Sequence, residues 1–251
     1  MGNRIKPAAR RTAYALRDLL FPPRCVGCGE LLAPFSGSDT IFCPLCRTAW
    51  EAAVTEAAGK AAEDAARGLV YLTFYHSGCT DGVPERLVYH LKHQGDPRAF
   101  AFVAARLAPQ VQETLASLPK REAEGDGDAP VLFTYPPRRR SAVNQDGFDQ
   151  AARLARALAT ACGGRYTPLI RSTRRRSTEQ KQLDAQKRTD NALRSYELKK
   201  NAAKRVRGGV AVICDDLCTT GATLNRCAAL LVEAGARLVV LVTVERTRKD
   251  T

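Results

Sequence analysis

The chain has 251 residues, of which 45% are hydrophobic, and it carries a formal net charge of +13. This composition fits a soluble globular protein of one large domain, or of one medium domain with an appendage. Insertion into a membrane is excluded, because no apolar run approaches the roughly 20 residues that a membrane helix needs.

The N-terminal residues 1–20 predict a helix. They are basic, but they lack the apolar core of about 7–15 residues and the small-residue cleavage site of a signal peptide. Lys6 stands where myristoylation requires Ser or Thr. The chain contains nine cysteines, and an odd number without an export signal argues against a disulfide framework.

Two Cys-x2-Cys pairs follow, separated by 14 residues. Four thiolates in two tight turns can close a tetrahedral shell around Zn²⁺. We therefore predict a zinc ribbon over residues 21–50, with a closed site that serves structure and not catalysis. Four reduced thiols without a metal, or redox chemistry at one pair, are the alternatives. The predicted zinc ligands are Cys25, Cys28, Cys43 and Cys46.

Helical and extended patterns alternate through the rest of the chain. Residues 51–68 are rich in strong helix formers and predict a linking helix. Short apolar strands and amphipathic helices come next. Their alternation predicts an α/β fold whose parallel sheet is covered on both faces. The predicted strands are 69–75, 131–135, 210–214 and 237–244, and the predicted helices are 83–93, 99–118 (with a possible break at Pro109), 146–161 and 222–235.

The positive charge is concentrated between residues 165 and 207, where 14 Lys and Arg residues stand against 4 Asp and Glu residues. This concentration predicts a polyanionic partner such as phosphate, a nucleotide or nucleic acid. A solvated basic surface is the alternative interpretation.

The stretch "VAVICDDLCTTGATL", residues 210–224, carries the clearest chemical signal. Asp215 and Asp216 follow an apolar strand, at the end where open parallel sheets bind ligands. Adjacent carboxylates can accept hydrogen bonds from the two vicinal hydroxyls of a ribose. Small residues at the start of a helix can then wrap a phosphate with backbone N–H groups. The stretch therefore predicts a site for a 5-phosphoribosyl group, with a phosphate loop of Thr219, Thr220, Gly221, Ala222 and Thr223.

This segment resembles the phosphoribosyl diphosphate (PRPP) binding motif of type I phosphoribosyltransferases, with Cys218 as a mild departure. Residues 15–246 as a whole resemble the competence protein F (ComF) family, through the four-cysteine ribbon, "YHLKHQGD", "TYPPRRR", "GFDQAARLA" and the basic stretch that begins "RSTRRRSTEQKQ". The resemblance implies a cytoplasmic protein with a type I phosphoribosyltransferase fold over residues 69–246, behind a small zinc ribbon.

The resemblance also implies roles for further residues. A diphosphate loop would include Tyr135, Arg138 and Arg139, and a flexible loop within 171–188 would bring Lys181 and Arg188 to the leaving diphosphate. Mg²⁺ would be held largely by ribose and diphosphate oxygens, with the acids nearby. Tyr89, Leu91 and Lys92 would lie near the site. Asp146 stands where the family commonly has an Arg, which removes one phosphate ligand, whereas the downstream pattern is intact at Thr178, Gln180, Arg188 and Asn191.

Three functions stay open. The first is an active phosphoribosyltransferase of unknown acceptor. The second is a PRPP- or nucleotide-binding protein that acts in uptake or processing of DNA without transferring the phosphoribosyl group. The third is an accessory module whose zinc ribbon and basic stretch 165–207 bind single-stranded DNA, alongside a competence helicase. No segment is recognisable as a base pocket. The three histidines, His76, His90 and His93, show neither metal-ligand nor catalytic-triad spacing.

Overall fold

The computed structural model describes residues 22–33, 40–76, 79, 81–118, 131–173 and 195–248. The N-terminal helix predicted over residues 1–20 lies outside these ranges. In chain order the helices are α1 (Pro44–Ala65), α2 (Val83–His93), α3 (Pro97–Ser117), α4 (Arg140–Asp146), α5 (Gln150–Ala161), α6 (Ala202–Val206) and α7 (Ala222–Glu233). None of these helices is both long enough and apolar enough to cross a membrane.

The strands are β1 (Leu69–Val70), β2 (Thr73–Tyr75), β3 (Val131–Thr134), β4 (Arg165–Tyr166), β5 (Ile170–Ser172), β6 (Tyr196–Leu198), β7 (Val210–Cys218) and β8 (Leu238–Thr247). Six of them form a parallel sheet in the order β1-β8-β7-β3-β4, in which β2 also pairs with β8. β5 and β6 form a separate antiparallel pair. The parallel sheet and its helices confirm the predicted α/β fold.

The central strand pair positions the predicted ligand site. Val210–Cys214 in β7 is buried throughout, as expected for a parallel strand covered on both faces. β7 and β8 stay in register from Val210 opposite Leu238 to Cys218 opposite Arg246. β7 therefore extends beyond the predicted strand, and the paired acids belong to the strand itself and not to the loop after it.

Two predicted elements have different bounds in the structure. The predicted strand 69–75 becomes β1 and β2. The predicted helix 146–161 begins only at Gln150, as α5, and it is preceded by α4, a short helix that the sequence did not predict. Gly147 ends α4 with a φ of 77°, a left-handed conformation that glycine adopts without strain. The side chain of Asp149 then caps α5 by accepting a hydrogen bond from the N–H of Ala152.

Two helices depart from the sequence analysis in a different way. α1 begins at Pro44, which suits the first turn because proline lacks an N–H. The linking helix predicted over 51–68 thus starts inside the predicted ribbon, and Cys46 is a helical residue. Pro109 lies within α3 without ending it.

The cysteine segment and the sheet share one hydrophobic core. The ring of Trp50 in α1 lies 5.8 Å from the rings of both Phe42 and Phe102, and those two rings meet edge to face at 5.4 Å. The same cluster of buried side chains extends from Cys25 to Val212 in the central strand. The segment that carries the four cysteines is therefore packed directly onto the α/β part of the chain.

Candidate functional site

The paired acids lie in the last part of β7, at the carboxyl edge of the parallel sheet. Asp216 is 6% exposed and Asp215 is half-buried. The backbone N–H of Asp216 donates a 2.9 Å hydrogen bond to Asp215 Oδ1. Burial, together with the charge of Asp216, raises the pKa of Asp215 well above its ordinary value, while the charge of Lys92 opposes this rise. A ligand that donates hydrogen bonds to this edge would offset the cost of burying the two carboxyl groups.

α2 brings a cation to these acids. Lys92 Nζ lies 3.2 Å from Asp216 Oδ2, and the lysine side chain is 31% exposed. Leu87 and Leu91 of the same helix are buried in the core, so the apolar side of α2 holds Lys92 at the sheet edge. The resemblance alone placed Lys92 near the site, and the structure gives it a contact there.

The loop after β7 carries the residues predicted to bind a phosphate. Thr219 and Thr220 are exposed, and Gly221 adopts a φ of 76° immediately before α7. The N–H of Ala222 donates a 3.3 Å hydrogen bond to Thr220 Oγ1, and Thr223 lies in the first turn of the helix. The first N–H groups of a helix have no partner within the helix and carry partial positive charge. The loop can therefore bind an anion beside the two acids.

The segment after β3 carries the predicted diphosphate-loop residues. Arg138 Nη1 donates a 2.7 Å hydrogen bond to Asp146 Oδ2, and His93 Nδ1 lies 3.4 Å from Asp146 Oδ1. The hydrogen bond from Arg138, followed by that from His93, lowers the pKa of Asp146. Asp146 thus orients Arg138, and it does not provide the positive charge that an Arg at this position would. Arg139, the next residue after Arg138, is exposed.

Tyr135 occupies a different environment from the two arginines. Its ring stacks on that of Tyr166 with centroids 6.1 Å apart, and the guanidinium of Arg156 lies 4.7 Å from the Tyr166 ring centroid. Burial and the hydrogen bond with Tyr166 raise the pKa of Tyr135. Tyr135 therefore stays a neutral hydroxyl at neutral pH, held in place by its aromatic neighbour.

The turn after α2 is fixed against α5. The carbonyl of Gly95 accepts a 2.6 Å hydrogen bond from Arg153 Nη1, and the Arg153 guanidinium lies 4.1 Å from the Phe148 ring centroid. Gly95 has a φ of 63°, and a Cβ at this position would lie 2.9 Å from the Phe148 ring. Two motifs quoted from the sequence, "KHQGD" and "GFDQ", are thus parts of one contact.

Several predicted residues lie outside the described ranges. These are Lys181 and Arg188 of the flexible loop and the pattern residues Thr178, Gln180 and Asn191. Of the described ones, Asp215 and Asp216 lie in β7, and two residues separate Asp216 from the predicted phosphate loop. Arg138 contacts Asp146, which contacts His93 of α2, the helix whose Lys92 pairs with Asp216. Sequence reasoning assigned no role to His93, because its spacing matches no motif and only the folded chain brings it to Asp146.

The four cysteine sulfurs form a second candidate site. All lie within 4.8 Å of one another, and Cys28 Sγ is 3.7 Å from Cys43 Sγ. A tetrahedron with Zn–S bonds of about 2.3 Å has edges of about 3.8 Å, so this donor set fits Zn²⁺. Burial raises the pKa of Cys25, but hydrogen bonds, foremost from the N–H of Cys43, outweigh it and bring the pKa to about 7. A thiolate, the form that binds metal, is therefore accessible at neutral pH.

Glu245 near the end of β8 is a buried acid that the sequence analysis missed. It is fully buried, and neither carboxylate oxygen has a hydrogen-bond partner among the described residues. Burial, with the charges of Glu85 and Asp216, raises its pKa to about 8, and only Lys92 acts in the opposite direction. The one available signal was an acid that follows a strongly apolar strand, "LVVLVTV". Glu245 is thus a further acid at the carboxyl edge of the sheet, and the positive charge of Lys92 compensates its negative charge in part.

Comparison with known proteins links the C-terminal part of the chain to one family model. The model described as "Phosphoribosyl transferase domain" matches residues 142–251. This range is less than half of the chain, but it contains the paired acids and the phosphate loop. No curated protein matches the chain.

Solved structures show only distant similarity. The "allosteric regulatory enzyme of purine biosynthesis" is 18% identical with a TM-score of 0.37, over 62% of this chain and 30% of that one. Alanine and asparagine mutants from an "analysis of an invariant aspartic acid in HPRTs" are each 15% identical with a TM-score of 0.33. They cover 67% of this chain and 73% and 71% of their own. The chain thus spans less than a third of the first protein, and the family model remains the more informative match.

The cysteine cluster predicts one tightly bound zinc ion per chain. Metal analysis of the purified protein should give about one equivalent, because four thiolates close a tetrahedral shell. Cys43→Ser should lower the occupancy, whereas Cys162→Ser, outside the cluster, should leave it unchanged. Less than about half an equivalent in the folded wild type would contradict this assignment.

Glu245→Gln should flatten the dependence of stability on pH. The folded-state pKa of about 8 lies above the ordinary value of 4.5, so the contribution of Glu245 to the stability of the wild type is highest below pH 4.5. It falls as the pH rises towards 8, by at most about 1.4 kcal/mol per pH unit. The glutamine stays neutral, so the advantage of the variant should grow from pH 5 to pH 9. Urea unfolding tests this against the exposed control Glu51→Gln, and identical slopes for Glu245→Gln and the wild type would overturn it.

Proposed function

We propose that the carboxyl edge of the sheet binds Mg²⁺–PRPP and that the chain is a phosphoribosyltransferase-like protein. The observation that carries this proposal is the continuity of β7 through Asp215 and Asp216 into the loop 219–221 and α7. This unit lies within the range that the phosphoribosyl transferase domain model matches. It presents acceptors for two hydroxyls and donors for a phosphate in adjacent positions.

The acids supply the ribose part of this site. Two vicinal hydroxyls can each donate a hydrogen bond to one carboxyl group. The ligand also carries phosphates, so the negative charge of the acids has to be compensated. Lys92 compensates Asp216 at 3.2 Å, and the raised pKa of Asp215 favours its neutral form. Both features reduce the repulsion between the protein and an anionic sugar.

The phosphates are assigned to two regions. The 5′-phosphate fits the N–H groups of residues 219–223, with the Thr219 and Thr220 hydroxyls as further donors. The diphosphate is assigned to the loop of Tyr135, Arg138 and Arg139. Mg²⁺, when bound with the ligand, supplies charge neutralisation at the diphosphate. Among the described residues, Arg139 is the exposed arginine of this loop.

Transfer to an acceptor is one outcome of such binding. Departure of the diphosphate builds an oxocarbenium-like sugar and concentrates negative charge on the leaving group, which Arg138 and Arg139 can stabilise. Binding without transfer fits the same residues. The resemblance to the competence protein F family favours a role of either kind in DNA uptake in the cytoplasm, alongside a competence helicase.

Binding of single-stranded DNA is a second candidate function. It is favoured by exposed cations around β4, β6 and α6 in the basic stretch: Arg165, Lys199, Lys200, Lys204, Arg205 and Arg207. Cations that track a phosphate backbone release counterions when they bind, which makes affinity strongly dependent on salt. The zinc ribbon would assist this contact.

Isothermal titration calorimetry should detect saturable binding of Mg²⁺–PRPP to the wild type. Asp215→Asn/Asp216→Asn should weaken it at least about 10-fold, because the loss of even one hydrogen bond to a charged group costs about 1.5–3 kcal/mol. Glu51→Gln/Glu63→Gln likewise replaces two acids by amides, on the exposed side of α1, and should leave the affinity unchanged. No binding by a folded, zinc-loaded wild type would refute the proposal.

The DNA function predicts a steep salt dependence. If six or more phosphates are neutralised, affinity for a labelled oligonucleotide should fall by about 10³-fold or more between 50 and 200 mM salt. Lys199→Ala/Lys200→Ala should reduce the slope, and Lys60→Ala on α1 should not. An affinity that changes less than about tenfold across this range would argue against a phosphate-tracking surface.

A further inference from the structure

α2 connects the cysteine cluster to the ribose acids. At its first turn, Arg86 Nη1 donates a 2.5 Å hydrogen bond to the carbonyl of Gly27, which lies between two of the cysteines. At its last turn, Lys92 Nζ lies 3.2 Å from Asp216 Oδ2, and His93 pairs with Asp146. A single helix of 11 residues thus contacts both candidate sites.

We propose that α2 couples the two sites: a metal ion held by the four cysteines fixes the position of Arg86, and the helix carries this position to Lys92 on Asp216. Arg86 is therefore a positioning residue for the ribose-phosphate site, which it does not contact. The proposal rests on the PRPP-binding function, because it concerns the regulation of that site.

The cysteine end of this connection depends on how the first Cys-x2-Cys turn is closed. A Cβ on Gly27 would lie 2.7 Å from Cys46 Sγ and 3.4 Å from Val83 Cγ2. The turn is therefore pressed between the second cysteine pair and the start of α2. When the sulfurs share a metal ion, this arrangement is fixed by coordination bonds, and the Gly27 carbonyl is held where Arg86 can reach it.

The helix itself transmits the position. Its N-cap residue is Gly82, which has no side chain that could cap the helix. The side chains that anchor its first turn by polar contacts are Arg86 and Glu85. The Glu85 carboxylate accepts a 3.4 Å hydrogen bond from the N–H of His76. The buried Leu87 and Leu91 hold the helix against the core without directional contacts. Arg86 and Lys92 are about 9 Å apart along the axis, so a shift of about 1 Å at one end moves the ion pair at the other.

The coupling has a reciprocal consequence. If zinc raises the affinity for Mg²⁺–PRPP, then Mg²⁺–PRPP must raise the affinity for zinc by the same factor. The usual range for such couplings is about 5- to 150-fold. A purely structural zinc site, which only holds the fold together, would show no such reciprocity between two folded forms.

The test uses the full chain loaded with one equivalent of zinc. Calorimetry measures Mg²⁺–PRPP affinity, and competition with a chromophoric chelator measures zinc affinity with and without saturating Mg²⁺–PRPP. We expect zinc to bind at least about fivefold more tightly in the presence of the ligand. We expect Arg86→Ala to stay folded and zinc-loaded, to lose at least fivefold in PRPP affinity, and to lose the reciprocal effect, with Arg86→Lys restoring part of both.

Arg106→Ala is the matched control, because it removes an exposed arginine that packs on Phe102 of the same core, 4.8 Å from its ring. Its PRPP affinity should equal that of the wild type. Unchanged PRPP affinity in zinc-loaded Arg86→Ala, or zinc affinity that does not respond to Mg²⁺–PRPP, overturns the coupling and leaves the proposed function intact. Absence of PRPP binding to the zinc-loaded wild type overturns both.

Discussion

The rest of the structure depends on the pairing of β7 with β8 beyond the point at which their apolar sequences end. The apolar sequences of the two strands end at Cys214 and Val244, but the ladder continues to Cys218 and Arg246. Acids are thereby built into strand backbone at the buried edge of the sheet. Burying carboxyl groups is costly unless they gain partners, so the surrounding elements are organised around compensating Asp216 and Glu245.

α2 is the element that meets this requirement. Lys92 is the cation that acts on both Asp216 and Glu245, and the buried side of the helix holds it at the edge. The same helix touches the cysteine turn through Arg86, and its last residue reaches Asp146. α2 therefore links the paired acids, the cysteine cluster and the segment after β3, which are far apart in the sequence.

The sequence predicted the parts of this arrangement that are local. The apolar run of β7 and the Cys-x2-Cys spacing each follow from neighbouring residues. The structure has a buried strand at the first and four clustered sulfurs at the second. The contacts that need the fold were not predictable. His93 contacts Asp146, and the charge of Lys92 acts on Glu245, only because the fold brings α2 next to residues that are far away in the chain. The short helix α4 was not predicted, and the start of α5 was placed four residues too early because the amphipathic pattern of residues 146–161 outweighed Gly147.

The balance of charge at the edge limits how a diphosphate can be bound. The chain as a whole is strongly basic, but the described edge is rich in acids, and both nearby cations are already paired, Lys92 with Asp216 and Arg138 with Asp146. If a diphosphate is bound there with Mg²⁺, as proposed, Arg139 is the described arginine of the segment after β3 that is exposed and able to supply further counter-charge.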